Sequence, residues 1–148
     1  MVCPRKFLNR VTDVMSEEQK PEEAASKNIG KIEWLDLTVN DASRVRDFYK
    51  RVVGWKHEDV EMGSYSDFCM NLPESGTTVA GICHARGSNA KIPPQWLVYV
   101  RVESVADSAA SCEKLGGKII DGPRRMAGSN FCVIQDPAGA YMALMSDK

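Results

Sequence analysis

Several marks of function are missing from this sequence, and each absence excludes a class. No apolar run reaches the roughly 20 residues of a membrane-spanning helix, so no membrane partner is expected. The N-terminus is basic but has no apolar segment behind it, so it is not a secretory signal; Asp13, Glu17 and Glu18 also fit poorly with an acid-poor mitochondrial presequence. The five cysteines (Cys3, Cys69, Cys83, Cys112 and Cys132) are odd in number and scattered, and none forms C-x-x-C. That argues against a disulfide framework or a thiolate zinc site and favours a reducing, cytoplasmic setting. Charge is nearly balanced, with 19 Lys and Arg against 20 Asp and Glu. No basic stripe alternates with aromatics, so no nucleic-acid partner is expected. Histidine is scarce: His57 and His84 are the only two.

What is present fits one soluble globular domain of 148 residues, 43% of them hydrophobic. Residues 1–28 stand apart as an N-terminal extension. Phe7, Leu8, Val11, Val14 and Met15 fall at helical spacing, which predicts an amphipathic helix over 5–18. "SEEQKPEEAASKN" then reads as a polar linker, and Met15 is an alternative start. The extension is either loosely attached or a docking helix. The domain proper is expected over 29–148.

That domain is a repeat. "WLDLTVNDASRVRDFYKRVVGW" (34–55) and "WLVYVRVESVADSAASCEKLGG" (96–117) each give an alternating strand, a capped helix and a glycine. Asp41 is placed to cap the first helix and Ser104 the second. Val45, Phe48, Tyr49 and Val52 form one apolar stripe; Val105, Ala109, Cys112 and Leu115 form the other. Val39 and Val102, Gly54 and Gly117, and Gly76 and Gly139 are each 63 residues apart. Three strands follow each helix, at about 56–62, 65–72 and 77–84, then 117–121, 128–135 and 140–146. The reading is α+β, with two tandem βαβββ units over about 30–85 and 93–146.

Strand alternation assigns faces. Leu35, Leu37 and Val39 should pack on the first helix, and Trp96, Val98, Val100 and Val102 on the second. The opposite faces carry Trp34, Asp36 and Thr38, and Leu97, Tyr99 and Arg101. Aromatic and charged residues there suggest a lined cavity; the alternative is a surface with an Asp36–Arg101 ion pair. "DGPRRMAGSN" reads as a mobile loop holding Arg124 and Arg125.

With "LTVNDASRVRDFYKRVVGW" after the first strand, its repeat, and "DPAGAYMAL" at the end, the chain resembles the vicinal oxygen chelate superfamily of glyoxalase I, bleomycin-resistance proteins and extradiol dioxygenases. Pro94, Trp96 and Tyr99 resemble the opening of the second unit in small glyoxalase-like members. The resemblance covers about residues 30–146. It implies curled mixed sheets around a cup, a small-molecule site where the halves meet, and a homodimer. It leaves open whether the units pair within one chain or across a dimer. In the family's enzymes a divalent metal is held by His, Glu or Gln on the first and fourth strands of each unit. Those slots fall on Trp34, Ala80, Leu97 and Ala143, and none can ligate a metal.

The expectation is therefore a protein with no metal and no cofactor that binds a small organic molecule through Trp34, Asp36, Thr38, Tyr99, Arg101 and His84, and is not an active glyoxalase I. His84 shares strand parity with Ala80; a surface position is the alternative. Cys83 has the opposite parity and is expected against a helix. The rival expectation is a lyase, isomerase or dioxygenase of the same superfamily, metal-dependent with displaced ligands. A metal-free acid–base enzyme using Asp36, or an interaction module docking through the N-terminal helix, also stays open.

Overall fold

The structure, a computed structural model, describes residues 28–147; the expected N-terminal helix and linker lie outside them. The chain divides into two compact units. One is built on Trp34–Leu97, the other on the chain from Val98 onward together with residues 28–33.

In the first unit, β1 (Ile32–Val39) enters with both faces covered in its second half: Asp36, Leu37 and Thr38 are all buried. Helix α1 (Ala42–Val52) starts where expected, because Asp41 Oδ1 accepts the Arg44 backbone N–H at 3.0 Å and so satisfies an orphan donor of the first turn. Strands β2 (Lys56–Glu61), β3 (Ser66–Asn71) and β4 (Thr78–His84) follow as an antiparallel meander, and β4 closes in parallel against β1. The order β2-β3-β4-β1 makes a mixed four-stranded sheet. Its core joins Leu37, Ala42, Phe68, Met70, Ala80 and Ile82, with Leu35, Val39, Val45 and Tyr49 packed against it.

The second unit repeats the plan. Strand β5 (Trp96–Arg101) leads to α2 (Val105–Lys114), whose first turn is capped by Ser104 Oγ accepting from Asp107 N at 3.2 Å. Then come β6 (Lys118–Met126), β7 (Ser129–Gln135) and β8 (Tyr141–Ser146). Strand β8 pairs in parallel with β5 and antiparallel with β7, and β7 pairs with β6. The core is Val105, Ala109, Cys132 and Leu144, with Val102, Ile119 and Ile134 beside it.

Five expectations are corrected. Arg124 and Arg125 lie on β6, which runs on to Met126 through two register shifts against β7; the Gly, Pro and charges that suggested a loop are absorbed by those irregularities. Phe48, Val52 and Leu115 are exposed, so each helix buries a narrower stripe than the spacing implied. Trp96 packs with the first unit, its Nε1 donating to Tyr49 Oη at 2.9 Å. The positive-φ glycine after α2 is Gly116, not Gly117, because α2 is one residue shorter than α1. Finally, Cys69 is disulfide-bonded, whereas Cys83, Cys112 and Cys132 are free; scattered spacing does not exclude a disulfide.

Candidate functional site

The key geometry of the first unit is the register of β4. Phe68 pairs with Ile82 and Met70 with Ala80, and all four belong to the core that covers α1. Ala80 therefore faces the helix. Gly81 and Cys83 face the other way, paired with Asp36 and Thr38 of β1. In the second unit Cys132 and Leu144 pack on α2. Ala143, paired with Tyr99 and Val133, takes the opposite face. The structural mate of Ala143 is thus Gly81, 62 residues earlier, and the 63-residue repeat slips by one. Parity had placed Ala80, and with it His84, on this face and Cys83 against a helix; all three assignments are reversed, His84 sharing the parity of Ala80 and Ile82.

Around Gly81 the packing is close. A Cβ there would fall far inside contact distance of Asp36 Oδ1, with the Trp34 indole nitrogen 3.5 Å away. Cys83 Sγ lies 3.5 and 3.6 Å from the two Asp36 carboxylate oxygens. Asp36 is 1% exposed. Burial pushes its carboxyl up from 3.8 to about 6; nearby Asp67 adds to this, while the Cys83 thiol and the Trp34 indole oppose it. Burial also raises the Cys83 thiol well above its ordinary range, helped by Asp36, so this thiol does not have the character of an activated nucleophile. Thr38 is buried opposite Cys83.

At the end of β4, His84 meets Asp67. The His84 backbone N–H donates to Asp67 Oδ1 at 2.8 Å, and His84 Nδ1 lies 3.2 Å from the same oxygen. Both side chains are buried, and Asp67 Oδ2 has no hydrogen-bond partner among the described residues. The Tyr65 ring stands edge-on to the His84 ring, centroids 5.3 Å apart. The Arg86 guanidinium covers the other ring, 4.8 Å from the Tyr65 centroid. Sequence reading singled out His84 but missed Asp67, Tyr65 and Arg86. Only the pairing of β3 with β4 brings them together.

In the second unit Tyr99 is buried and stacked on Phe131, centroids 5.6 Å apart. The Arg124 guanidinium lies 4.8 Å over the Phe131 ring and is paired with Asp121. Arg101 is held by a two-pronged pair with Glu33, at 2.8 and 2.9 Å, and by Asp147. The hydrogen bond to Glu33 is the chief reason its guanidinium is held even more firmly protonated than usual. Backbone bonds from Gly30 N to Arg101 O and from Arg101 N to Lys31 O fix the same residue.

The chain belongs to the glyoxalase/bleomycin resistance protein/dioxygenase superfamily, whose model matches residues 31–144. Curated relatives from Mycobacterium bovis and Mycobacterium tuberculosis, both named "Putative glyoxylase CFP32", are 30% identical over 118 residues; the match covers 75% of this chain and 43% of each relative. The chain thus spans less than half the length of those proteins. Among solved structures, a methylmalonyl-CoA epimerase in complex with methylmalonyl-CoA and NH4+ is 16% identical with a TM-score of 0.49, covering 79% of this chain and 94% of that one. The methylmalonyl-CoA epimerase from Mycobacterium tuberculosis is 15% identical with a TM-score of 0.47, covering 78% and 86%. Likenesses of this size carry no argument about chemistry here.

The metal that the superfamily's enzymes use does not fit these residues. The positions matching the family's ligand slots are Trp34 and Gly81 on β1 and β4, and Leu97 and Ala143 on β5 and β8. None of these four bears an imidazole, carboxylate or thiolate; Asp36 and Cys83 share the face of Gly81 but stand outside those slots. Among the described residues no group of three or more His, Cys, Asp or Glu is placed to hold a metal ion.

Proposed function

We propose that the protein is a metal-independent member of the superfamily that binds a small organic molecule. The binding residues are those on the sheet faces opposite the helices, Trp34, Asp36 and Thr38 in the first unit and Tyr99 and Arg101 in the second, joined by His84 at the end of β4, which has the parity of Ala80 and Ile82. The observation that carries this reading is the donor-free set Trp34, Gly81, Leu97 and Ala143, in a chain that otherwise keeps the family's repeat. Trp34 and Tyr99 supply rigid aromatic area, and the buried polar groups supply orientation, the usual division of labour in a small-molecule site. The same reading carries a cytoplasmic setting and a homodimer; light scattering should give twice the chain mass of 16.4 kDa. Elemental analysis of protein purified without chelators, paired with a small-molecule screen read by tryptophan fluorescence, tests the proposal. It expects no stoichiometric transition metal and no turnover of the glutathione–methylglyoxal adduct. One equivalent of tightly held Ni, Zn, Fe or Mn, lost together with an activity on chelation, would overturn it.

A second reading is favoured by Asp36. Its carboxyl is raised to about 6 by burial, in the range where a carboxyl can exchange a proton near neutrality. The carboxylates that hold Arg101 are Glu33 and Asp147. A metal-independent acid–base enzyme is then the rival. Its mark would be a turnover that follows one ionisation near pH 6 and is abolished in Asp36→Asn.

A further inference from the structure

We propose that His84, Arg86, Tyr65 and Asp67 form a subsite for a small hydroxy acid, with His84 Nε2 accepting the ligand's hydroxyl and Arg86 holding its carboxylate. The argument starts at Asp67. Its Oδ1 takes both the backbone N–H and Nδ1 of His84. A carboxylate can only accept, so Nδ1 carries a proton, and in the neutral imidazole Nε2 is then left as an acceptor. Nε2 makes no hydrogen bond among the described residues, yet it is not one of the polar atoms sealed from solvent. The side chain is 9% exposed, and Nε2 is the atom through which it can meet a ligand.

The surroundings set the ligand class. Tyr65 lies edge-on to the His84 ring and under the Arg86 guanidinium, so the imidazole and the cation contact one aromatic ring. Arg86 is exposed and has no carboxylate partner among the described residues. An acceptor beside a free guanidinium matches a molecule with a hydroxyl next to a carboxylate. Asp67 is the positioning residue: it sets the tautomer and does not touch the ligand. This subsite adds a polar end to the binding reading above. The tautomer is read with no ligand present, so it stands or fails independently of the elemental analysis.

The test uses the full chain labelled with 15N-histidine, in chelator, with the two imidazoles assigned through His57→Gln. The free protein should show His84 with the proton on Nδ1. Glycolate should shift the His84 Nε2 resonance saturably, and acetate, which lacks the hydroxyl, should bind at least about tenfold more weakly. His84→Gln should remove that preference. Arg86→Gln should weaken both probes. Asp67→Ala should release the tautomer and reduce glycolate binding toward that of acetate. If Asp67→Ala does not fold, the wild-type tautomer and the glycolate-to-acetate ratio still decide the matter. A proton found on Nε2, no saturable shift with glycolate, or equal binding of the two probes would overturn the proposal.

Discussion

Asp36 and Gly81 show how much can turn on one residue. The glycine is needed because the carboxylate of the neighbouring strand occupies the place of its side chain. Gly81→Ala should therefore overpack the face and cost roughly 1–3 kcal/mol, seen as a lower urea midpoint at unchanged slope. Asp36 itself should give the fold an unusual pH response. Its carboxyl titrates at about 6 when folded against 3.8 in the reference state. Between those values the native chain holds a proton that the unfolded chain has lost. This group's contribution to stability is therefore greatest below the lower value, declines as pH rises through the window, and is lowest above pH 6. At about 1.4 kcal/mol per pKa unit, the effect is a few kcal/mol at most. Asp36→Asn keeps an acceptor for its neighbours, so it should be as stable as the wild type or more so at pH 8, and should lose the decline between pH 4 and 6. Parallel denaturation curves for the two proteins at pH 4.5, 6 and 8, with no difference in trend, would show that this carboxyl is ionised throughout. The sequence revealed that Asp36 lies on the face away from α1. It did not reveal what Asp36 touches, because a 63-residue repeat counted along the chain cannot register the irregularity that inserts one residue in β4 opposite Met70 and Asn71, where β8 has none.

At the scale of elements, local chemistry was legible and pairing was not. Asp41 and Ser104 cap α1 and α2 as their positions implied, because a cap is decided within four residues. Asp41→Ala should cost about 0.5–2 kcal/mol, and Gly139→Val should be strained by about 1–3 kcal/mol at a φ of 95°. Unchanged melting temperatures in both variants would contradict these local readings. The end of β6 was missed for the opposite reason. Arg124 belongs to a strand because Phe131 pairs with it and lies beneath its guanidinium, a contact no local pattern encodes. Arg101 teaches the same lesson. Its carboxylate partners are Glu33 and Asp147, far away in sequence. Arg101→Ala strands the largely buried Glu33 carboxylate and should cost about 1.5–3 kcal/mol. A double-mutant cycle with Glu33→Gln should show coupling; additive effects would mean that the pair is incidental.

At the scale of the whole chain, the family was legible from the repeat, and so were three of the four positions matching its ligand slots; the fourth is Gly81 rather than Ala80. The closing strand β8 carries no charge on the face that bears Ala143, and Ala143 is fully buried opposite Tyr99 and Val133. That makes a sharp prediction about restoring a family-like carboxylate. Ala143→Glu would put a longer side chain and a charge into a filled, apolar place, so the chain should lose stability through both overpacking and desolvation. A single carboxylate should not recruit a metal. Structural and catalytic sites use three or four protein ligands, and Trp34, Gly81 and Leu97 would still offer none. The melting temperature of Ala143→Glu should therefore fall by several degrees and should not recover when Ni, Zn or Mn is added. A metal-dependent rise in that variant would show that donors lie within reach of β8 after all. The four donor-free positions would then be one substitution from a metal site, and the metal-independent reading would have to be abandoned.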